Sequence, residues 1–189
     1  MTKGIGQKIQ PPSEIPRYLN QYKWLWYSAI IIIGITGAIT ALYPEFGGHD
    51  PLSTGIYIAS MNLATMISVM VVSHLRPDPV VTIRIAAIGI AGSVIICLET
   101  PWGFPLMGAF AGVVIIAQMA FLAETGAPQG AMMGIYNTAT YGGLALLPFI
   151  TGFIAEYSSF FFAFLIPALF AITVAFTISR CECRLRIRQ

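Results

Sequence analysis

Residues 130–156 read GAMMGIYNTATYGGLALLPFITGFIAE, with glycine at 130, 134, 142, 143 and 152, proline at 148, and no charge before Glu156. In water each glycine would cost a helix about 1 kcal/mol relative to alanine, and the proline about 3. A bilayer reverses that judgement. Backbone groups in hydrocarbon have no water to bond and must stay helical, and small residues let neighbouring helices approach closely. The stretch therefore reads as a membrane helix, and the fold class follows from it.

The rest of the chain agrees. Its 189 residues are 57% hydrophobic and 10% charged, against roughly 45–50% apolar and 25% charged in a soluble domain. Mean hydropathy is +0.78. The expectation is an all-α polytopic membrane protein with little length left for a soluble domain, since each crossing takes about 20 residues. The opening MTKGIGQKIQPPSEIPRYLNQYK lacks the apolar core and small-residue site of a cleaved signal peptide, so the first span serves as its own insertion signal. Cys97 lies in an apolar run, and Cys181 and Cys183 sit in a basic tail. Reduced thiols, without a disulfide framework, are expected.

Six apolar runs are candidate spans: 24–43, 55–75, 80–98, 104–123, 131–155 and 158–179. They leave a cytoplasmic tail at 1–23, a membrane domain at 24–179 and a basic tail at 180–189. The connections PEFGGHDPLST, RPDP, ETPWG, ETGAPQG and EYSS carry turn residues. Arg84 stands close to the start of the third run and must snorkel or mark a later start in the lipid.

With six crossings, Lys3, Lys8, Arg17, Lys23, Arg76, Arg84, Arg180, Arg184, Arg186 and Arg188 all fall on one side. Glu45, Asp50, Glu99 and Glu156 fall on the other. This asymmetry predicts an inner or plasma membrane protein with both termini in the cytoplasm. Trp24, Trp26, Tyr27 and Tyr43 are expected in interfacial belts.

Few polar groups lie within the runs, chiefly Asn62, Gln118 and Asn137, with Tyr141 one turn after Asn137 on the same face. An unpaired amide in hydrocarbon is costly, so these groups should point into the bundle or a watery cavity. Two readings stand for each, namely interhelical glue or contact with a solute on its path. Gly108 with Gly112, and Gly130 with Gly134, form GxxxG pairs and are assigned to helix packing. Gly34 with Ala38, Gly89 with Ser93 and Thr138 with Gly142 are small-xxx-small pairs of the same kind. Pro148 and Pro167 each free a carbonyl and are candidate kinks. Glu124 and His74 end their runs on the basic side, as interfacial residues or in a charge network with Arg76 and Asp78.

No Asp, Glu or Lys sits at mid-span, and HExxH, GxSxG and paired haem histidines are missing; His49 is in an outer loop. An enzyme, a metal site, a cofactor and a nucleic-acid partner are accordingly not expected.

Gly134, Tyr136, Asn137, Gly143, Pro148 and Gly152 follow a pattern of the form G-x-Y-(N/S) then G-x-x-x-x-P-x-x-x-G. That pattern resembles the eleventh helix of the major facilitator superfamily, and the whole chain resembles the C-terminal six-helix half of such a transporter. GIY opens both the second run (Gly55 to Tyr57) and the fifth (Gly134 to Tyr136), an echo of the nested inverted three-helix repeats that the resemblance implies. SHLRPDPVVTIR departs from the family's G-x-L-x-D-R-x-G-R-R connection, keeping Leu75 but lacking its ordered Gly, Asp and Arg-Arg. The resemblance implies alternating-access transport of a small solute through a path lined by Asn62, Gln118, Asn137 and Tyr141. It also implies a second half, supplied by another chain or a homodimer, because one half encloses no path. The alternative is a non-transporting subunit, scaffold or split-gene remnant.

Overall fold

A computed structural model describes residues 15–180 apart from 47, 49, 76 and 126. His49, Arg76, Cys181, Cys183 and the basic residues of both tails other than Arg17, Lys23 and Arg180 lie outside the described residues. The described secondary structure is helical: α1 (Ile15–Gln21), α2 (Lys23–Phe46), α3 (Pro51–Leu75), α4 (Pro79–Glu99), α5 (Gly103–Glu124), α6 (Gln129–Tyr157) and α7 (Phe160–Thr177). The six helices α2 to α7 are long and apolar enough to cross a membrane. They correspond one to one with the six apolar runs of the sequence.

The helices outrun those runs where the local chemistry allows. Helix α2 continues through Pro44 to Phe46. At the start of α4 the Asp78 carboxylate accepts hydrogen bonds from the backbone N–H groups of Val80 (3.0 Å) and Val81 (3.1 Å), with Pro79 in the first turn. An N-cap aspartate followed by proline is the favoured way to open a helix, so Asp78 is occupied by the fold. His74 is exposed and bonds the Met70 carbonyl through Nδ1 at 2.7 Å. Pro148 and Pro167 lie inside unbroken helices. The segment before the first span is not a featureless tail, because α1 is tied down by the Trp26 indole N–H donating to the Tyr18 carbonyl at 3.3 Å.

Successive spans alternate in direction. At one end the start of α2 meets the end of α5 through Tyr22 and Phe121, 6.3 Å between ring centroids, and meets the end of α7 through Trp24 and Arg180 at 5.5 Å. At the other end Tyr43 of α2 stacks edge-on against Phe104 of α5 at 4.7 Å and Tyr57 of α3 at 6.1 Å, while Phe46 lies 5.2 Å from Phe164 of α7. Among the described residues, Arg17, Lys23, Arg84 and Arg180 belong to the first end and Glu45, Asp50, Glu99 and Glu156 to the second.

Helix pairing is only partly sequential. Helix α2 lies mainly along α6 and also against α7 and α5; α5 lies along α3 and its chain neighbour α4; α4 lies along α7, and α6 also meets its neighbour α7; α3 and α6 do not touch. Two of these seams are closed backbone to backbone. A Cβ at Gly108 of α5 would overlap the Met61 carbonyl oxygen of α3, and one at Gly112 would meet the Thr65 oxygen at 2.6 Å. Likewise a Cβ at Gly143 of α6 would overlap the Ile30 carbonyl of α2, and one at Gly34 would meet Gly143 O at 2.7 Å. Thr65 Oγ1 adds a hydrogen bond to Gly108 O at 2.9 Å.

Some expectations are corrected. Gly130 and Gly134 have the same motif as Gly108 and Gly112, yet a Cβ at either would meet nothing within 4 Å, as at Gly142. Among the described residues these glycines therefore make no backbone-to-backbone seam of the kind seen at Gly108 and Gly143. Trp26 and Tyr43 are buried in the core rather than set in an interfacial belt, because α1 covers the former and the aromatic cluster the latter. Trp24 has the Lys23 ammonium 5.3 Å from its ring centroid.

Overpacking a closed seam costs about 1–3 kcal/mol. Gly108→Ala and Gly143→Ala are each expected to lower stability by that amount in denaturant unfolding of the micelle-solubilised protein. Gly92→Ala, where a Cβ meets open space, should not lower it.

Candidate functional site: the mid-span polar groups

The three amides have two different fates. Gln118 of α5 is fully buried; its Nε2 donates to Ser28 Oγ of α2 at 3.0 Å and its Oε1 accepts from the Tyr136 hydroxyl of α6 at 2.9 Å. Ser28 in turn donates to the Leu25 carbonyl at 2.7 Å. Three helices meet on this amide, and each buried polar atom named here has a partner, which is the condition for tolerating such groups away from water. Both ends of the Gln118 amide are engaged inside the bundle. Its place is therefore inside the bundle, where it joins α2, α5 and α6. Ser28 and Tyr136, the partners that sequence reading did not pair with it, stand 90 and 18 residues away along the chain.

Asn62 and Asn137 are exposed, and so is Tyr141 at 69%. They sit on α3 and α6, whose apolar cores are only 11% and 17% buried, against 61% for α2. Asn62 lies near the middle of α3, and Asn137 and Tyr141 lie well inside α6. Nearby hydroxyls are already satisfied by their own helices: Thr138 donates to Gly134 O at 2.9 Å and Thr140 to Asn137 O at 2.9 Å. The exposed amides and the phenol are thus the mid-span groups left facing outward from the two least covered helices.

Beside them runs a groove of about 660 Å³ between α2 and α6. It is lined by Trp26 and Ile30 of α2, Leu19 of α1, and a run of α6 residues that includes Gly134, Ile135, Ala139 and Gly142. A smaller cavity of about 260 Å³ lies at the basic end between α3 and α5, bordered by Ser73 and Glu124. Among the described residues no three His, Cys, Asp or Glu side chains gather to share a metal ion.

No family model matches the chain, and no curated protein or solved structure shows significant similarity to it.

Interhelical hydrogen bonds between membrane helices are worth about 0.6–1.7 kcal/mol. Gln118→Leu should therefore lower unfolding stability by about that much by stranding the Tyr136 hydroxyl. Asn137→Leu, whose side chain holds no helix, should leave the unfolding midpoint unchanged.

Proposed function

We propose that the chain is one half of an alternating-access secondary transporter of the major facilitator type, with Asn62, Asn137 and Tyr141 facing the path of a small solute. The carrying observation is the exposure of two mid-span amides on the least buried helices. An amide facing lipid tails is penalised, so a water-filled path or a protein neighbour must cover it. The two longest seams are related by exchanging the first three spans with the last three, α2–α6 onto α5–α3, as two three-helix repeats would give, while the α6–α7 seam has no counterpart because α3 and α4 do not touch. The uncharged character of the path residues suits positioning a solute rather than coupling to an ion.

The gathering of the described cations at one bundle end supports an orientation with both termini in the cytoplasm. A non-transporting subunit is the second reading, favoured by Gln118, whose amide is bonded at both ends inside the bundle.

Counterflow of labelled sugars, amino acids and organic anions into proteoliposomes tests the function. At least one solute should accumulate, and Asn62→Leu and Asn137→Leu should abolish that uptake while leaving the unfolding midpoint intact. Uptake unchanged by both substitutions, or none for any solute, favours the subunit. For orientation, Asp50→Cys should react with a membrane-impermeant maleimide from outside intact cells, and Asn20→Cys only after permeabilisation.

A further inference from the structure

We infer that the basic end of the α2–α7 seam binds an anionic phospholipid, whose phosphodiester lies between Lys23 and Arg180. Both cations attend one ring. The Lys23 ammonium stands 5.3 Å and the Arg180 guanidinium carbon 5.5 Å from the centroid of Trp24, inside the range in which a cation is attracted to an aromatic face. Their charges are thus separated by no more than about twice that distance, and both side chains are long enough to turn toward a shared anion.

The ring is held from both helices. Tyr27 meets it edge-on at 6.4 Å, with the two planes at 88°. The Tyr27 hydroxyl donates to Thr173 Oγ1 of α7 at 2.6 Å, because Thr173 gives its own hydrogen to the Phe170 carbonyl at 2.7 Å. One hydrogen bond therefore ties α2 to α7 one turn below the cations. A site spaced in advance loses less freedom when its ligand arrives.

Among the described residues no carboxylate pairs with Lys23 or Arg180. Glu45, Asp50, Glu99 and Glu156 belong to the other end, Asp78 caps α4, and Glu124 ends α5, which does not touch α7. Two like charges held together repel, and a phosphodiester between them relieves that repulsion. The guanidinium offers it a planar fork of donors and the ammonium a compact charge. A choline headgroup would bring a cation of its own to the pair. Below the cations the surface is apolar: Phe176 and Leu169, 4 and 11 residues before Arg180 at helical spacing, are 68% and 52% exposed. Acyl chains of a lipid anchored at the cations lie along that face, and indole and phenol rings suit the headgroup level of a bilayer. A soluble phosphate would use the cations and leave the apolar face bare. The site stands apart from Asn62, Asn137 and Tyr141, so lipid binding does not depend on transport.

Native mass spectrometry of the full chain in detergent micelles, titrated with dioleoyl phosphatidylglycerol or dioleoyl phosphatidylcholine, tests the site. The first phosphatidylglycerol should bind more tightly than the first phosphatidylcholine and raise the unfolding midpoint. At about fivefold per cation beside anionic lipid, Lys23→Gln with Arg180→Gln should weaken that binding roughly 25-fold and cancel the rise, while Lys23→Arg keeps both. Both side chains are exposed, so the lipid-free midpoint of the double variant should match that of the native chain. Arg17→Gln removes a cation from α1, which lies against α2 and α6 and does not touch α7, and should leave phosphatidylglycerol binding unchanged. Equal binding of the two lipids by the native chain overturns the inference, as does a double variant that binds phosphatidylglycerol like the native chain. A loss in Arg17→Gln as large as in the double variant overturns it too, since it marks a diffuse surface field. So does displacement of phosphatidylglycerol by equimolar glycerol 3-phosphate, which marks a site for the anion alone.

Discussion

Within hydrocarbon a peptide group has no solvent to bond, and every span of this chain must therefore close its own backbone into helix before anything else is decided. That constraint explains why Pro44, Pro148 and Pro167 lie inside unbroken helices. It also removes the usual driving force for helix association, because lipid tails are as apolar as leucine. What remains is close contact and directed polar bonds. The chain uses the first at Gly108 and Gly143, where backbone meets backbone, and the second at Gln118, where three helices share one amide.

Much of the fold was legible because its signals are local. Runs of apolar residues, punctuated by proline, glycine and acidic turns, mark each span by length alone, and the placement of arginine and lysine separates the two ends. The role of Asp78 was missed, since RPDP reads as a turn while its aspartate caps α4. Which helices touch was not legible, because a GxxxG pair reports a small surface and not its partner. Gly108 with Gly112 found α3, whereas a Cβ at Gly130 or Gly134 would meet nothing among the described residues.

The same limit governed the polar residues. Asn62, Gln118 and Asn137 are alike as letters, each an amide in an apolar run. They differ only in what stands opposite. Gln118 faces a serine 90 residues earlier and a tyrosine 18 residues later, whereas Asn62 and Asn137 face outward. No periodicity on a single helix encodes that distinction, since a helix that is apolar nearly all the way round carries no statement of which side is covered.

The α2–α6 seam carries a consequence for biosynthesis. Gly34 and Gly143, which meet across it, are separated by about 110 residues, and at the ribosome's roughly 5–20 residues per second the first span waits on the order of 5–20 s for its chief neighbour to be made. During that interval the bare flank around Gly34 must be sheltered by lipid, by the insertion machinery or by another nascent helix. The adjacent α3 cannot serve, because its own deep contact is with α5, still to come. Each long-range seam thus imposes a schedule on the nascent chain, in which the earliest helix is among the last to find its permanent place.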